Sequence, residues 1–377
     1  MEKPTLISLY SGCGGSALGF QNAGFEITYM NDNNADACYT LRENFEKPSA
    51  NPDRQVVQRG NVKDVFEFGS ADIIEGGFPC QGFSLAGPRK VDDKRNLLYH
   101  YLKRAITFAN PKFFVAENVK GFVTIGEKGR QGFFKKGKIA NLGSVASAIV
   151  KELESTGAGY NVKYELLDAK DYGLPQDRQR IFIVGVRKDL EYEFEFPKPT
   201  HGPGLKPYVT MKDYGVKDIH SLETEVFRDG KSHGRDYFGA RYMSRNRLRK
   251  WNDVSFTIPA DAGQVAADPD SKTMWAKEIE WWFEMCLKEV KDHEWPEFRK
   301  NNENKINPNL RRMSWRQCAA IQGFPKDYKF SGDVKSIYRQ IGNAVPPPMM
   351  QQVAECIKPY FEGKESSFPM RKEKVTA

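Results

Sequence analysis

Residues 71–84, which read ADIIEGGFPCQGFS, combine an apolar run, a glycine pair and a cysteine. The run at 71–75 predicts a buried strand, and Gly76 and Gly77 predict its end. Cys80 then stands on a loop behind Pro79, whose ring fixes its own backbone angle. A thiol in this position suits a nucleophile. A small buried cysteine beside a turn would give the same local pattern, so the rest of the chain has to separate the two.

Strands and helices alternate on both sides of this loop. Predicted strands occupy residues 5–10, 26–30, 55–59 and 112–116, and predicted helices occupy residues 35–44 and 97–108. Such alternation predicts an α/β fold with a mostly parallel, doubly wound sheet. Ligands of such sheets bind at the carboxyl ends of the strands. Gly12, Asp32, Cys80 and Glu117 each follow a predicted strand, so we expect them to meet at one rim.

A glycine loop, SGCGGS at residues 11–16, follows the first predicted strand and precedes an amphipathic stretch. This is the opening of a nucleotide-binding unit, in which glycines and a helix N-terminus bring N–H groups close to the ligand. Asp32 follows Gly12 by about 20 residues, a suitable distance for a carboxylate that binds ribose hydroxyls. The spacing G-x-G-G differs from the dinucleotide pattern G-x-G-x-x-G, which disfavours NAD. A tight turn without a ligand is the alternative interpretation.

Composition limits the class of protein. The 377 residues suffice for two domains, and 40% hydrophobic with 28% charged residues is typical of soluble globular proteins. No apolar run reaches the ~18 residues that span a bilayer, and the first residues predict a strand instead of a signal peptide. Six cysteines without a C-x-x-C pair argue against a disulfide framework or a zinc site and predict a cytoplasmic protein. The net charge of +8 suits a polyanionic partner, although it also promotes solubility.

Basic residues concentrate in two later segments. Residues 176–180, QDRQR, carry alternate arginines that would point the same way in an extended chain, usually as a solvated face. Residues 197–207 are rich in proline and glycine and predict a linker. Residues 241–250 then carry five positive charges and no acid, and a strand-like stretch follows at 255–258. Arginine and asparagine side chains read base edges, and basic side chains hold phosphates, so the second segment favours nucleic acid.

The remaining C-terminal third predicts helices. Residues 276–288 predict a core helix, residues 311–322 a helix stopped at Gly323, and residues 340–346 the opening of a final helix. The residues from about 365 onward predict a frayed tail.

Taken in order, these motifs resemble the cytosine-5 DNA methyltransferases, from about residue 5 to about residue 360. The loop at 9–15 is similar to the family's cofactor loop, Pro79-Cys80-Gln81 to its nucleophile motif, and Glu117-Asn118-Val119 to its acid motif. Gln176-x-Arg178-x-Arg180 and Gly342-Asn343-Ala344-Val345 match two later blocks. Each motif alone is weak, whereas all of them in the family's order are specific.

The resemblance implies a Rossmann-like S-adenosylmethionine-dependent methyltransferase fold with a smaller target-recognition domain. We expect residues 1–195 plus 336–377 to form the catalytic and cofactor domain, and residues 196–335 the recognition domain and hinge. The implied cofactor is S-adenosylmethionine, and no metal is implied. The implied cofactor-binding residues are Tyr10, Ser11, Gly12, Cys13, Gly14, Gly15, Asp32, Asn33, Asn61, Val62, Pro79, Leu98, Asn343 and Ala344.

The resemblance also implies the roles of four catalytic residues. Cys80 would add to carbon 6 of a cytosine flipped out of the duplex, which makes carbon 5 nucleophilic. Glu117 would supply a proton or hydrogen bond at N3, and Arg180 would hold O2. Arg178 would support Arg180 and the catalytic loop.

Two departures from the family's pattern concern the cofactor and the target. Asn61 stands where an aspartate usually accepts from the adenine amino group. Residues 242–257 resemble the recognition segment of bacterial restriction-modification enzymes that modify GGCC, but Gln264 follows Gly263 where that group has arginine. Because Gln pairs best with adenine, we expect a GC-centred palindrome altered at its outer pair, such as AGCT or RGCY. The implied DNA-binding residues are Gln81, Ser84, Arg241, Ser244, Arg245, Arg247, Arg249 and Gln264.

The implied partner is double-stranded DNA, with a genetically linked restriction endonuclease, and the expected state is a monomer. Two other functions stay open: a tRNA cytosine-5 methyltransferase, and an idle sequence-specific DNA-binding protein. The long basic insert between residues 200 and 310 favours duplex DNA over tRNA, and intact Cys80, Glu117 and Arg180 argue against idleness. A nicotinamide oxidoreductase would leave the Cys80 loop and the insert unexplained.

Overall fold

The structure is a computed structural model that describes residues 2–46, 55–78, 98–125, 132–135, 138–219, 249–266, 268–270 and 313–363. The strands of these residues are β1 Thr5–Leu9, β2 Glu26–Asp32, β3 Val57–Arg59, β4 Ile73–Gly76, β5 Phe113–Val119, β6 Phe134–Lys135, β7 Lys138–Ile139, β8 Tyr160–Asp168 and β9 Gln179–Arg187. The α-helices are α1 Gly15–Asn22, α2 Ala35–Phe45, α3 Tyr99–Ala109, α4 Ser144–Glu154, α5 Trp315–Ile321, α6 Val334–Asn343 and α7 Pro347–Phe361.

Seven strands form one sheet in the order β3-β2-β1-β4-β5-β9-β8, and β6 pairs with β7 in a separate hairpin. The first five strands are parallel, whereas β9 runs antiparallel to both of its neighbours. The strand order reverses between β1 and β4, where a crevice forms beyond the carboxyl ends. The glycine loop after β1 and the stretch after β4 both lead into this crevice, which confirms the predicted doubly wound α/β fold.

The strands are apolar on both faces because helices cover both. Ile73 packs with α1 and α7 on one face, and its neighbour Ile74 packs with α3 and α4 on the other. The same alternation places Phe113 and Phe114 on opposite faces of β5. Glu75 and Glu117 continue the Ile73 and Phe113 series, so their side chains belong to the α1 face.

The C-terminal segment returns to the first helix. Gly19 of α1 meets α7 so closely that a Cβ there would lie 2.6 Å from the carbonyl oxygen of Pro347. A third core cluster joins α5 and α6 to residues 258–266. Helix α5 begins with a capping box, in which the Ser314 side chain accepts from the Gln317 N–H and the Gln317 side chain accepts from the Ser314 N–H. The chain turns away after α5 at Gly323, which has a φ of +82°.

Several predicted boundaries are wrong. Residues 340–346 end α6 and connect it to α7 instead of opening a helix, because Pro346 and Pro347 define the next start. Residues 255–258 form no strand; only Ser255 makes an isolated bridge, to Gln176. The predicted helix at 276–288, residues 311–312 and the tail from residue 364 lie outside the described residues.

Candidate active site

Glu117 and Arg180 form an ion pair at the sheet rim. The antiparallel register pairs Val119 with Arg180, so Glu117 is the diagonal neighbour on the same face. Arg180 Nε lies 3.0 Å from Glu117 Oε1, and only 13% and 11% of the two side chains are exposed. Burial raises the pKa of Glu117, opposed by Arg180 and Arg178. Burial likewise lowers the pKa of Arg180, opposed by Glu117.

The surroundings of this pair correct two expectations. Glu117 lies within β5 and not just past its end, because the strand continues to Val119 against β9. The alternate arginines do not form a solvated face: Arg178 is fully buried and Arg180 nearly so. In the sequence these polar residues resemble a solvent-exposed turn. In the structure their polar groups are satisfied by the hydrogen bonds between β5 and β9 and by the buried ion pair.

Arg178 braces the site from beneath. Its guanidinium donates to three carbonyl oxygens, those of Ile258 at 3.1 Å, Gly342 at 2.9 Å and Ala344 at 2.7 Å. Its backbone N–H donates to Asp168 Oδ1 at 3.1 Å. These bonds tie the start of β9 to two segments distant in sequence. Ala344 is therefore held through its carbonyl oxygen, whereas the neighbouring Asn343 is exposed at the end of α6.

Gln176 joins the 255–258 segment to the same brace. Its side chain accepts from the Ile258 N–H at 3.0 Å and donates to Gln322 Oε1 at 2.9 Å. The Ser255 N–H donates to the carbonyl oxygen of Pro175 at 2.8 Å. The segment that precedes Gln264 is thus fixed to the loop that carries Arg178.

The glycine loop has the open backbone that a ligand would need. Gly12 adopts a φ of +55°, and a Cβ there would meet no atom within 4 Å. Gly14 and Gly15 are tightly enclosed instead: a Cβ at Gly15 would lie 2.2 Å from the carbonyl oxygen of Val345. The Cys13 thiol points into the core, donates to the carbonyl oxygen of Gln340, and has its pKa raised to about 12 by burial. Cys13 therefore contributes its backbone to the loop and not a reactive thiol.

Tyr10, which directly precedes this loop, contacts Leu98. The Tyr10 hydroxyl donates to the carbonyl oxygen of Leu98 at 2.6 Å. Tyr10 also has a left-handed φ of 55°, a strained conformation for a bulky residue. Burial raises the pKa of this phenol. Such strain needs support from the surroundings, and the bond to Leu98 is part of it.

Asp32 and Asn61 retain capacity for a ligand. Asp32 Oδ2 accepts from the Gly12 N–H and Oδ1 from the Asn34 N–H, both at 2.8 Å. The Asn33 N–H also donates to this carboxylate, which keeps a further lone pair for a ribose hydroxyl. Asn61 is exposed, and its side-chain oxygen accepts from the Lys63 N–H at 3.1 Å while it caps a short turn that includes buried Val62. Asn33 beside Asp32 is exposed. These donors and acceptors fit an adenosine moiety.

Arg104 was missed in the sequence, although it positions this turn. One guanidinium nitrogen donates to the carbonyl oxygens of Val62, Lys63 and Val65 at 2.7, 3.0 and 2.7 Å. The guanidinium also lies over the Phe66 ring at 5.0 Å. The sequence around Arg104 gave no signal of this role, because Lys103 and His100 in the same helix are also polar.

A cleft of about 400 Å³ opens beside the ion pair. It is lined by Val119, Lys120, Gly121, Asp168, Lys170, Asp177, Gln179, Arg180 and Thr257. Thr257 was not singled out in the sequence; its hydroxyl donates to the carbonyl oxygen of Asp177. The cleft is in the size range of small-ligand sites, and it extends from Arg180 at the sheet rim to Thr257.

Two predicted DNA-binding residues are described. Arg249 lies over the Phe256 ring at 4.0 Å and approaches Asp177 at 3.8 Å. Gln264 is exposed on the turn Ala262–Gln264 and donates to Asp261 at 3.2 Å. The other predicted residues, Pro79, Cys80, Gln81, Ser84, Arg241, Ser244, Arg245 and Arg247, lie outside the described residues. Gly77 precedes Cys80 by three residues and lies beside Glu117: a Cβ at Gly77 would be 3.4 Å from Glu117 Oε2.

Two general features of the described ranges bear on the class of site. The described residues contain no cluster of three or more His, Cys, Asp or Glu that could hold a metal ion. Within the same ranges, no helix combines the length and the apolar character needed to cross a membrane.

Solved structures share this fold. The Entamoeba histolytica methyltransferase EhMeth superposes with a TM-score of 0.62 at 15% identity, covering 97% of this chain and 100% of that one. The S. pombe methyltransferase Dnmt2 gives a TM-score of 0.58 at 17% identity, covering 96% and 99%. The sheet and its rim therefore define a methyltransferase fold.

Sequence comparison then gives the family. The C-5 cytosine-specific DNA methylase family matches residues 5–359. The Type II methyltransferase M.BsuRI of Bacillus subtilis is 34% identical, over 99% of this chain and 83% of that protein. The Type II methyltransferase M.BspRI of Lysinibacillus sphaericus is 35% identical, over 94% and 82%. The chain belongs to the C-5 cytosine-specific DNA methylase family, and it is an S-adenosylmethionine-dependent DNA cytosine methyltransferase.

Proposed function

We propose that the chain methylates carbon 5 of a cytosine turned out of duplex DNA, through a transient bond between the Cys80 sulfur and carbon 6. The observation that carries this proposal is the buried Glu117–Arg180 pair at 3.0 Å. It faces Gly77, three residues before Cys80. The pair brings a proton carrier and a fixed cation to the place where the nucleophile's loop begins.

Cys80 begins the reaction as a thiolate. Its sulfur forms a bond to carbon 6, and the electron pair of the carbon 5–carbon 6 double bond becomes available at carbon 5. Carbon 5 then takes the methyl group, for which bound S-adenosylmethionine supplies the electrophilic carbon. A base, assigned to water, removes the carbon 5 proton, and the sulfur–carbon 6 bond breaks to release Cys80 and restore the ring.

Glu117 and Arg180 stabilise the charge that the addition puts on the ring. Burial raises the pKa of the Glu117 carboxyl, which favours its protonated form, and Glu117 is assigned to donate that proton to N3. Arg180 uses Nε on Glu117 and one terminal nitrogen on the carbonyl oxygen of Gln179, at 2.8 Å. Its remaining N–H groups are assigned to O2 of the cytosine. When carbon 5 is deprotonated, Glu117 takes the N3 proton back.

The cofactor-binding residues are assigned to the loop and its walls. Backbone N–H groups at residues 11–15 and the first turn of α1 are suited to the polar end of S-adenosylmethionine. Asp32 would bind the ribose hydroxyls, while Tyr10, Val62 and Leu98 would enclose the apolar parts. Asn61 would accept from the adenine amino group through the second lone pair of its amide oxygen.

Arg178 is assigned a positioning role between the two proposed domains. Its bonds to Ile258, Gly342 and Ala344 join the proposed catalytic domain, residues 1–195 plus 336–377, to a segment of the proposed recognition domain, residues 196–335. DNA would occupy the cleft between them. Pro79 and Asn343 would line its cofactor side, with Gln81 and Ser84 on the DNA side.

The target is proposed to be a GC-centred palindrome that differs from GGCC at its outer pair. Gln264 is exposed on a turn whose neighbours Ala262 and Val265 are buried, so the side chain is presented outward from a fixed base. A glutamine amide pairs well with adenine, which favours AGCT or RGCY. Arg241, Ser244, Arg245, Arg247 and Arg249 are assigned to the remaining bases and phosphates.

We further infer that the chain is the modification partner of a restriction endonuclease and acts as a monomer in the cytoplasm. The Type II methyltransferases that it resembles support the first part. DNA from cells expressing the chain should resist a nuclease that cuts the same site.

A bisulfite map of DNA from a methylation-free host expressing the chain tests the proposal. We expect one cytosine in a fixed short context to resist conversion, and none to resist in cells expressing Cys80→Ala. Unchanged protection of GGCC would contradict the role of Gln264. Methyl incorporation into tRNA but not DNA would contradict the substrate, and incorporation into neither would contradict the activity.

A further inference from the structure

Glu75 is a buried carboxyl that the proposed mechanism does not use. It lies on β4, 2% exposed, after the apolar residues Ile73 and Ile74. Ser8 of β1 pairs with it in register, and the Ser8 hydroxyl donates to Glu75 Oε1 at 2.5 Å. Placing a carboxyl at the centre of an apolar sheet is unfavourable unless its hydrogen bonds are satisfied. A role in the site would explain why it is there.

A chain of hydroxyl groups links Glu75 to the cofactor loop. Ser8 Oγ lies 2.8 Å from Ser11 Oγ, and Ser11 is the first residue of the loop after Tyr10. Ser11 Oγ also donates to the carbonyl oxygen of Ser8 at 3.0 Å and accepts from the Asn31 N–H at 3.3 Å. Ser16, in the first turn of α1, is a second hydrogen-bond partner of Glu75. Glu75 is therefore two hydrogen bonds below the loop.

This arrangement satisfies Glu75 in either charge state. When the carboxyl is ionised, the Ser8 and Ser16 hydroxyls donate to it, while the Ser11 hydroxyl donates to the carbonyl oxygen of Ser8. When the carboxyl is protonated, its O–H donates to Ser8 Oγ, and Ser8 can then donate to Ser11 Oγ. Because a hydroxyl both donates and accepts, Ser8 can exchange its roles as donor and acceptor, and none of these buried hydroxyl groups is left unpaired. The charge on Glu75 can therefore respond to a ligand.

In the described part of the chain, the groups that influence the pKa of Glu75 do not include a positive charge that stabilises its carboxylate. The pKa of Glu75 is raised to about 8: burial is the largest cause and Glu117 on β5 also raises the pKa, whereas the hydrogen bonds from Ser8 on β1 and Ser16 on α1 lower it. Arg180 on β9 lies beyond Glu117 and is paired with that residue. No basic side chain of the described residues is among the groups that set this pKa.

We propose that Glu75 favours the cationic methyl donor over its uncharged product, S-adenosylhomocysteine. This inference rests on the proposed cofactor site. Donor and product share the adenosine, the amino group and the carboxylate, and they differ by one methyl group and one positive charge on sulfur. An ionised Glu75 attracts that charge through the weakly screening interior, and the neutral product gains nothing from it. Exchange of spent product for fresh donor is thereby favoured.

Calorimetric binding of the two ligands to the full chain tests the inference. Linkage requires the donor to bind more tightly as Glu75 loses its proton, so the ratio of the product's Kd to the donor's Kd should rise with pH. We expect about a tenfold rise between about pH 6.5 and about pH 9 in the wild type. Groups common to both ligands cancel in the ratio. In Glu75→Gln the ratio should not change with pH, while product affinity stays at the wild-type value.

Two further variants locate the effect. Glu117→Gln should keep the rise but move it to lower pH, because Glu117 is not its source and only raises the pKa of Glu75. Ser8→Ala should move the rise to higher pH, because it removes a hydrogen bond that lowers the pKa of Glu75. If Glu75→Gln fails to fold, the inference is still tested by the pH dependence of the Kd ratio in the wild type and by its shift to higher pH in Ser8→Ala.

A wild-type ratio that does not change with pH would overturn the inference and leave the proposed function intact. Loss of the rise in Glu117→Gln, with the rise kept in Glu75→Gln, would overturn it too and assign the effect to Glu117. Failure of the wild type to bind either ligand would overturn the proposed cofactor site itself.

Discussion

Arg180 Nε and Glu117 Oε1 lie 3.0 Å apart on neighbouring antiparallel strands, with little of either side chain exposed. The pair combines a carboxyl whose pKa is raised with a guanidinium that is also held by a hydrogen bond to the carbonyl oxygen of Gln179. This arrangement suits transfer of one proton to a ring nitrogen beside a fixed positive charge.

Glu117→Gln should lower kcat by about 10²- to 10⁴-fold, because the amide can donate a hydrogen bond but cannot exchange a proton. The wild-type kcat should fall toward alkaline pH as Glu117 loses its proton above its raised pKa. The variant should lack the alkaline fall. Methyl transfer measured across pH checks this, with donor affinity as the control. An unchanged alkaline fall in the variant would show that another group causes it.

Arg180→Lys should keep the charge but lose the planar fork, so we expect kcat to fall with little change in folding. Arg180→Ala should also destabilise the protein by about 3–5 kcal/mol, because it leaves the buried Glu117 without its partner. Kinetics and denaturant unfolding of both variants separate the two effects. Equal stability of the alanine variant and the wild type would contradict the buried pair.

Arg178→Met should destabilise the protein by about 3–5 kcal/mol, since three buried carbonyl oxygens lose a charged donor. Lys163→Met is the matched control, because its ion pair with Glu193 is exposed and should contribute less than about 1 kcal/mol. Urea unfolding measures both. Similar losses in the two variants would contradict the bracing role.

Tyr10→Phe should weaken donor binding about fivefold, the loss of roughly one neutral hydrogen bond of about 1 kcal/mol. The bond to the Leu98 carbonyl oxygen disappears, while the ring that covers the cofactor remains. Calorimetry with the donor checks this, and Tyr164→Phe on exposed strand surface should change nothing. Wild-type affinity in Tyr10→Phe would show that the hydroxyl does not shape the pocket.

Much of the fold could be predicted from local pattern. Apolar runs ending in glycine or in a polar residue identify β1, β2 and β4, and the order of the motifs identifies the family. The end of β5 was misplaced because Glu117 and Asn118 are polar, as loop residues usually are. In the structure Asn118 donates to the carbonyl oxygen of Phe78 at 3.2 Å and Glu117 pairs with Arg180, so both are satisfied inside the sheet.

Contacts between distant segments could not be predicted. The link from Glu75 to Ser8 depends on the register of β1 against β4, which no local pattern reveals. The burial of Arg178 depends on carbonyl oxygens at Ile258 and Gly342, far along the chain. The edge strand β8 was not predicted because its middle residues Lys163 and Glu165 interrupt the apolar pattern of a central strand.

The most direct test of the central claim is covalent trapping on DNA. A duplex carrying the mapped site with 5-fluorocytosine at the target should stop the reaction after methyl transfer, because fluorine cannot leave as a proton does. We predict a denaturant-stable complex that requires S-adenosylmethionine, carries one added methyl group, and joins the DNA to the peptide containing Cys80. Attachment at another residue, or methylation of normal cytosine by Cys80→Ala, would contradict the account.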